Sequence, residues 1–196
     1  MQYSDRVNLA IRRASTAHDG QYRRNSATPY IAHPFAVALI SQRYINDEDV
    51  FIACLFHDVL EDVPERIYSG DDIYNEFGAD VLKIVKDVTE PVHIKAEGWR
   101  AWQVRKDTYL AHLASVHDIR PLIVSASDKI HNMSEMIRDF EENGSAMWNA
   151  FYADKTREIW FYESVLDILK EKSDLPVMVL EDYEKTLSAL RRITKI

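Results

Sequence analysis

The amino-acid sequence predicts an all-α protein, a single helical bundle of about eight to ten helices. Glycine and proline number only 5 and 6 in 196 residues, too few to turn the many short strands of an all-β fold. Apolar residues recur at three- and four-residue steps nearly throughout the chain. The length suits one well-buried core.

The elements follow in order. Val7, Ala10, Ile11 and Ala14 mark one face of a first helix, from about Ser4 to Asp19. GQYRRNSATPYIAHP, residues 20–34, is a polar loop. Pro34 suits the first residue of a second helix, where its missing N–H loses no partner, and that helix runs to about Ile45. Asp47 suits the N-cap of a third helix, which Pro64 ends. Two shorter helices, about Asp71–Phe77 and Ala79–Val88, flank Gly78. Residues 89–99, TEPVHIKAEGW, lack periodicity and read as a loop. Helices of about Arg100–Val116 and Leu122–Glu142 follow, and Gly144 breaks the chain before a long helix, about Ala146–Lys172. A last helix covers about Leu180–Lys195. Residues 1–172 read as one domain and 173–196 as a helical appendage packed on it.

Charge narrows the partners. With 32 acidic against 24 basic residues the net charge is −8, the wrong balance for gripping duplex nucleic acid. The single cysteine, Cys54, sits in an apolar run; it excludes a disulfide framework and a Cys-rich zinc site, and reads as a buried inert thiol. The opening MQYSDRVNLAIRRAS carries charge from its fifth residue and has no apolar signal core. The longest wholly apolar run, Val50–Phe56, is too short to cross a bilayer. A cytoplasmic protein with no membrane partner is expected, and its oligomeric state stays open.

The stretch CLFHDVLEDV, residues 54–63, breaks the pattern. It begins as a buried helix and then sets down His57, Asp58, Glu61 and Asp62. Burying unpaired charges costs several kcal/mol each, so something must compensate them. Two other segments also carry polar groups where apolar ones are expected, YIAHPF with His33 and PLIVSASDKIHNM with Asp128. His33, His57, Asp58 and Asp128 together form an N₂O₂ donor set. It suits Mn²⁺, with Fe²⁺, Co²⁺ or Zn²⁺ also compatible, and it leaves two octahedral positions open. Taken singly, His33 could be a helix-capping group, Asp58 a core carboxylate beside a lysine, and Asp128 half of an ion pair with Lys129. A shared metal explains all four at once. Glu61 and Asp62 lie one helical turn beyond His57 and Asp58, where a carboxylate can act as general base toward water. Asn132 repeats that spacing beyond Asp128.

With His33, the His57–Asp58 pair and Asp128 in that order, the chain resembles the HD-domain phosphohydrolases. TPYIAHPFAVA, FHDVLEDV, FGADVLKIVKDVTE and SASDKIHNM resemble the RelA/SpoT-type hydrolase domain and the stand-alone small alarmone hydrolases, with the HDxxED form as the discriminating piece. MWNAFYADKTREIWFYESVLDIL resembles the long helix that follows in stand-alone members, and the likeness runs from about Arg6 to Lys170. The resemblance implies an Mn²⁺-dependent enzyme that removes the 3′-diphosphate of ppGpp or pppGpp, leaving GDP or GTP and pyrophosphate. It implies His33, His57, Asp58 and Asp128 as metal ligands, Glu61 and Asp62 as the catalytic acidic pair, and Asn132 as a nucleotide contact. Arg23 and Arg24 fall where the family has basic residues beside the base and ribose; which of the two aligns is open.

A polyphosphate needs cations, and Arg23, Arg24, Lys95, Arg105, Lys106 and Lys129 lie near the proposed segments. Lys155 is a weaker candidate on the later helix. The loop EPVHIKAEGWRAWQ departs from the shorter charged stretch usual in the family, so substrate preference could differ. Two alternatives follow: the same metal chemistry on another phosphorylated nucleotide (NADPH, ppApp or a 5′-nucleotide), or a regulatory protein that binds nucleotide without turning it over.

Overall fold

The computed structural model of the chain describes residues 3–24, 26–91 and 97–194. Lys95 and the middle of the 89–99 loop, residues 92–96, lie outside the described residues. Ten α-helices and one 3-10 helix account for the regular structure, and there is no strand among the described residues. No helix among them is long and apolar enough to cross a membrane.

α1 spans Asp5–Ala17, capped by Ser4, whose Oγ accepts from the Val7 N–H at 3.1 Å. The loop after it folds back on itself: Arg23 N–H donates to the Thr28 carbonyl and Tyr30 N–H to that of Gln21, each at 2.9 Å. This pins Arg23, Arg24 and Tyr30 in front of α2, which spans Ala32–Ser41 and holds Pro34 in its first turn.

α3 runs from Glu48 to Phe56 under an Asp47 cap and is buried at every residue from Val50 on. The expected single helix to Pro64 is instead two pieces. His57 turns its Nδ1–H onto the Cys54 carbonyl at 2.7 Å, taking an acceptor that the next turn of α3 would have used. The chain restarts as the short α4, Val59–Asp62, where the Glu61 and Asp62 N–H groups both point to the Asp58 carbonyl at 3.1 and 2.9 Å.

α5, Gly70–Phe77, carries a capping box between Ser69 and Asp72. Gly78, at φ +92°, takes a conformation that favours glycine and turns the chain into α6, Ala79–Val88. α7 spans Gly98–Ser115. α8, Ile119–Asn143, starts earlier than expected, because Asp118 caps it and Pro121 is tolerated in its first turn.

α8 is the axis of the fold. Every residue from Pro121 to Ile130 is buried, as befits a helix with α2, α3, α6, α9 and α10 against it. The long helix expected from Ala146 is likewise divided. A 3-10 helix covers Gly144–Ala150, and α9, Lys155–Lys170, starts afresh where the Asp154 carboxylate accepts from the Arg157 N–H at 2.9 Å. α10, Val177–Thr194, closes the core with Val179, Tyr183, Leu187 and Leu190.

Candidate metal and phosphohydrolase site

Three chain segments distant in sequence meet at the first turn of α2, the α3–α4 break and the middle of α8. His33 Nε2 stands 3.1 Å from His57 Nε2, 3.4 Å from Asp58 Oδ2 and 3.1 Å from Asp128 Oδ1. His57 Nε2 stands 3.0 Å from Asp58 Oδ2 and 3.7 Å from Asp128 Oδ1. His33, His57 and Asp58 each offer one ligand atom within 4.8 Å of the others. Asp128 touches the group from the α8 side.

The chemistry of this set fits a cation. A carbonyl oxygen can only accept, so His57 Nδ1 must carry a proton, and in the neutral ring its Nε2 lone pair faces inward. His33 Nδ1 lies 2.8 Å from His131 Nδ1; when it donates there, its own Nε2 lone pair also faces inward. Two imidazole lone pairs and two carboxylates then converge on one point, the arrangement a divalent ion satisfies. With protons alone available, burial works against a charged His57, but Asp58 and Asp128 outweigh it and hold its pKa well above the usual range. Burial would likewise raise Asp58, yet His57 and His33 keep its carboxyl well below the usual range.

Asp128 has two partners besides the imidazoles. Its Oδ2 accepts from Lys129 Nζ at 2.7 Å, and its Oδ1 from Asn132 Nδ2 at 2.6 Å. The ion pair with Lys129 and the approach to the histidines therefore coexist, one on each oxygen. Lys129 is buried, its ammonium 4.7 Å from the centre of the Tyr109 ring. Arg23 donates to Asn132 Oδ1 at 3.0 Å, so the loop before α2 is tied through Asn132 to Asp128.

Glu61 and Asp62 face different surroundings. Glu61 Oε1 accepts from the Glu90 N–H at 2.6 Å; burial, then the charges of Asp58 and Glu90, push its carboxyl up to about 8. Asp62 shares the Tyr30 hydroxyl with Asp58, at 3.1 and 2.6 Å. Burial and Asp58 raise its carboxyl also.

The cluster forms the floor of a cavity of about 580 Å³. Arg23, Arg24, Arg105, Lys106, Lys129 and Asn132 all line it. Lys106 Nζ is 2.5 Å from Glu90 Oε1, and Arg105 approaches the same carboxylate at 3.8 Å. Lys155 does not line it. Because α9 starts at this residue, Lys155 lies at the helix end and its Nζ donates to the Thr194 carbonyl at 3.1 Å, joining α9 to α10. Three residues near the cluster drew no attention in the sequence. Tyr30 and His131 sit one turn from His33 and Asp128 inside the motifs already singled out, whereas Glu158 lies in a charged run, DKTREIW, that looks like helix surface.

Residues 10–160 match the family model described as "HD domain". The guanosine-3′,5′-bis(diphosphate) 3′-pyrophosphohydrolase of Haemophilus influenzae is 38% identical over 120 residues, 61% of this chain and 17% of that protein. Its namesake in Aquifex aeolicus is 30% identical over 200 residues, 99% of this chain and 27% of that one. The Escherichia coli bifunctional (p)ppGpp synthase/hydrolase SpoT is 34% identical over 65% of this chain and 18% of its own length. The chain thus spans roughly a sixth to a quarter of the curated relatives it matches.

Among solved structures, one described as a metazoan ortholog of SpoT that hydrolyzes ppGpp superposes with a TM-score of 0.71 at 24% identity, over 98% of this chain and 97% of its own. A Listeria monocytogenes protein superposes with a TM-score of 0.68 at 21% identity, over 84% and 99%. Both share the fold. The chain belongs to the HD-domain family.

Proposed function

We propose that this HD-domain chain is a metal-dependent phosphohydrolase that removes the 3′-diphosphate of guanosine alarmones, converting ppGpp or pppGpp to GDP or GTP and pyrophosphate. The carrying observation is the meeting of His33, His57, Asp58 and Asp128 on the floor of a cavity lined by five cationic side chains. The curated relatives named for this reaction support the choice of substrate.

His33, His57, Asp58 and Asp128 would hold the ion, with Mn²⁺ the choice best matched to two imidazoles and two carboxylates. A bound divalent ion polarises a phosphoryl oxygen and makes water acidic enough to supply hydroxide near neutral pH. The remaining work falls to the chain. Glu61 or Asp62 takes the proton from the attacking water as its oxygen bonds to the phosphorus next to the ribose. The bond from that phosphorus to the ribose 3′-oxygen breaks, and the oxygen leaves as a hydroxyl once a proton reaches it. The carboxyl that took the water's proton is then the acid that returns it to the leaving oxygen. Arg23, Arg24, Arg105, Lys106 and Lys129 face the phosphates, and Asn132, held by Arg23 and Asp128, contacts the nucleotide. With nucleotides as substrate, we place the protein in the cytoplasm.

The test is a panel of ppGpp, pppGpp, ppApp, NADPH and dGTP, incubated with Mn²⁺ or with chelator and resolved by anion exchange. GDP and pyrophosphate from ppGpp, in Mn²⁺ alone, is the expected result. Cleavage of another member with ppGpp intact moves the substrate elsewhere, and silence across the panel leaves a nucleotide binder.

A further inference from the structure

Glu158 stands in the first turn of α9, only 6% exposed, in the wall of the same cavity. Along the helix its buried neighbours are Ile159, Phe161 and Tyr162, so packing asks for an apolar side chain at this position. A buried carboxylate is costly unless paired. Yet among the described residues Glu158 forms neither an ion pair nor a side-chain hydrogen bond. The two cations nearest in effect are engaged elsewhere: Lys106 with Glu90 at 2.5 Å, and Arg24 over the Phe151 ring, 4.9 Å from its centre. Burial therefore prevails over Lys106 and Arg24, and the carboxyl is pushed up to about 7.

An acceptor held ready in a ligand cavity awaits a donor. Phosphates cannot supply it, since they carry the same charge. The partner has to be a neutral part of the ligand bearing N–H or O–H groups. Phe161, Tyr162 and Val88 also line the cavity, so apolar side chains for a base ring are present beside the cations that suit phosphate.

We propose that Glu158 reads the nucleobase, accepting the N1–H and N2–H of guanine on its two oxygens and so selecting guanosine over adenosine nucleotides. The inference rests on the nucleotide reading above and adds the residue that sets base specificity. Adenine presents a lone pair at N1 where guanine presents a proton, and a carboxylate facing it is repelled. Glutamine has the same shape but replaces one acceptor with a donor, which matches adenine's N6–H and N1 instead.

The experiment is calorimetric titration of GDP, IDP and ADP into the metal-free chain at pH 8, beside Glu158→Gln. The unaltered chain should prefer GDP over ADP by roughly tenfold to a hundredfold, the discrimination of one good bidentate pair, with IDP between because it lacks the N2 amine. Glu158→Gln should bring that ratio to one or reverse it. An unchanged ratio, or equal weakening of both nucleotides, overturns the proposal. If Glu158→Gln no longer unfolds cooperatively, Glu158→Asp replaces it: both acceptors remain, and the guanine preference must survive with weaker binding. Turnover of ppGpp by the unaltered chain is scored separately. Turnover without base discrimination sinks this inference alone, and discrimination without turnover sinks only the hydrolase reading.

Discussion

The Tyr30 hydroxyl lies 2.6 Å from Asp58 Oδ2, the same oxygen that approaches both imidazoles. Its single proton takes one lone pair of this oxygen and leaves the other toward His33 and His57. Asp62 competes for that proton at 3.1 Å, so Tyr30 couples a proposed ligand to a proposed acid–base group.

Tyr30→Phe removes the hydroxyl and keeps the ring against His18 and His33. Outer hydrogen bonds to metal ligands are worth roughly 10- to 100-fold in affinity. Mn²⁺ binding, followed by paramagnetic resonance of the free ion, should weaken by that factor while the melting temperature holds. Unaltered Mn²⁺ affinity would reduce Tyr30 to a packing residue.

Removing a ligand and removing a base should part company. Asp58→Ala should lose metal and turnover together, judged by metal content of the purified protein. Glu61→Gln should keep its metal and lose roughly 10²- to 10⁴-fold in turnover, the range for a missing general base. Activity that persists in metal-free Asp58→Ala would dissolve the shared-ion argument, and a near-normal rate in Glu61→Gln would make Glu61 a spectator.

The metal-free protein should lose stability as pH rises from about 6.5 to 8. Glu61 titrates near 8 when folded against an ordinary value of 4.5, so the folded state holds its proton longer than the unfolded chain. Stability from that proton is present at low pH and fades as the folded carboxyl ionises. His57, raised well above its ordinary value, acts in the same direction over this window. His18 and His131 are lowered and act oppositely, but only below about 6.5, their ordinary value. Glu61→Gln should flatten the decline by of order 1 kcal/mol in denaturant titrations run in chelator. A slope identical in both proteins would show that Glu61 is not the group responsible.

Much of this was legible in the sequence, and the exceptions share a cause. α6 could be placed because Val81, Ile84, Val85 and Val88 mark a clean stripe after Gly78. The four residues of the cluster stood out because they interrupt apolar runs. The break after Phe56 did not, since it depends on His57 spending its Nδ1–H on a carbonyl rather than on solvent. The divided helix before α9 was hidden similarly, because Asp154 looks like one more surface charge until its carboxylate is seen capping Arg157. Lys155 was misplaced as a cavity residue by the same division, because a helix starting there carries it to the α10 end. Tyr30, His131 and Glu158 look ordinary one at a time; only the folded chain reveals what each faces.

α10 offers the last prediction. Read from sequence it is an appendage packed on the domain, and its face against the core, Val179, Tyr183, Leu187 and Leu190, is almost wholly buried. The Tyr183 hydroxyl donates to the Tyr162 carbonyl at 3.0 Å. Lys170–Glu184 and Arg191–Glu163 pairs rim the contact, and Tyr44 reaches Asp182 from the α2 end at 2.8 Å. Each large buried side chain contributes roughly 1.5–3 kcal/mol, so the helix supplies an amount comparable to the whole stability of a typical domain, about 5–15 kcal/mol. Its loss would also bare α8, which carries Asp128, Lys129 and Asn132. A chain ending at residue 172 should therefore lack a cooperative thermal transition and bind apolar dyes, with Mn²⁺ unable to restore it. A sharp melt and intact Mn²⁺ binding in the shortened chain would mean that residues 1–172 fold alone and that α10 only decorates them.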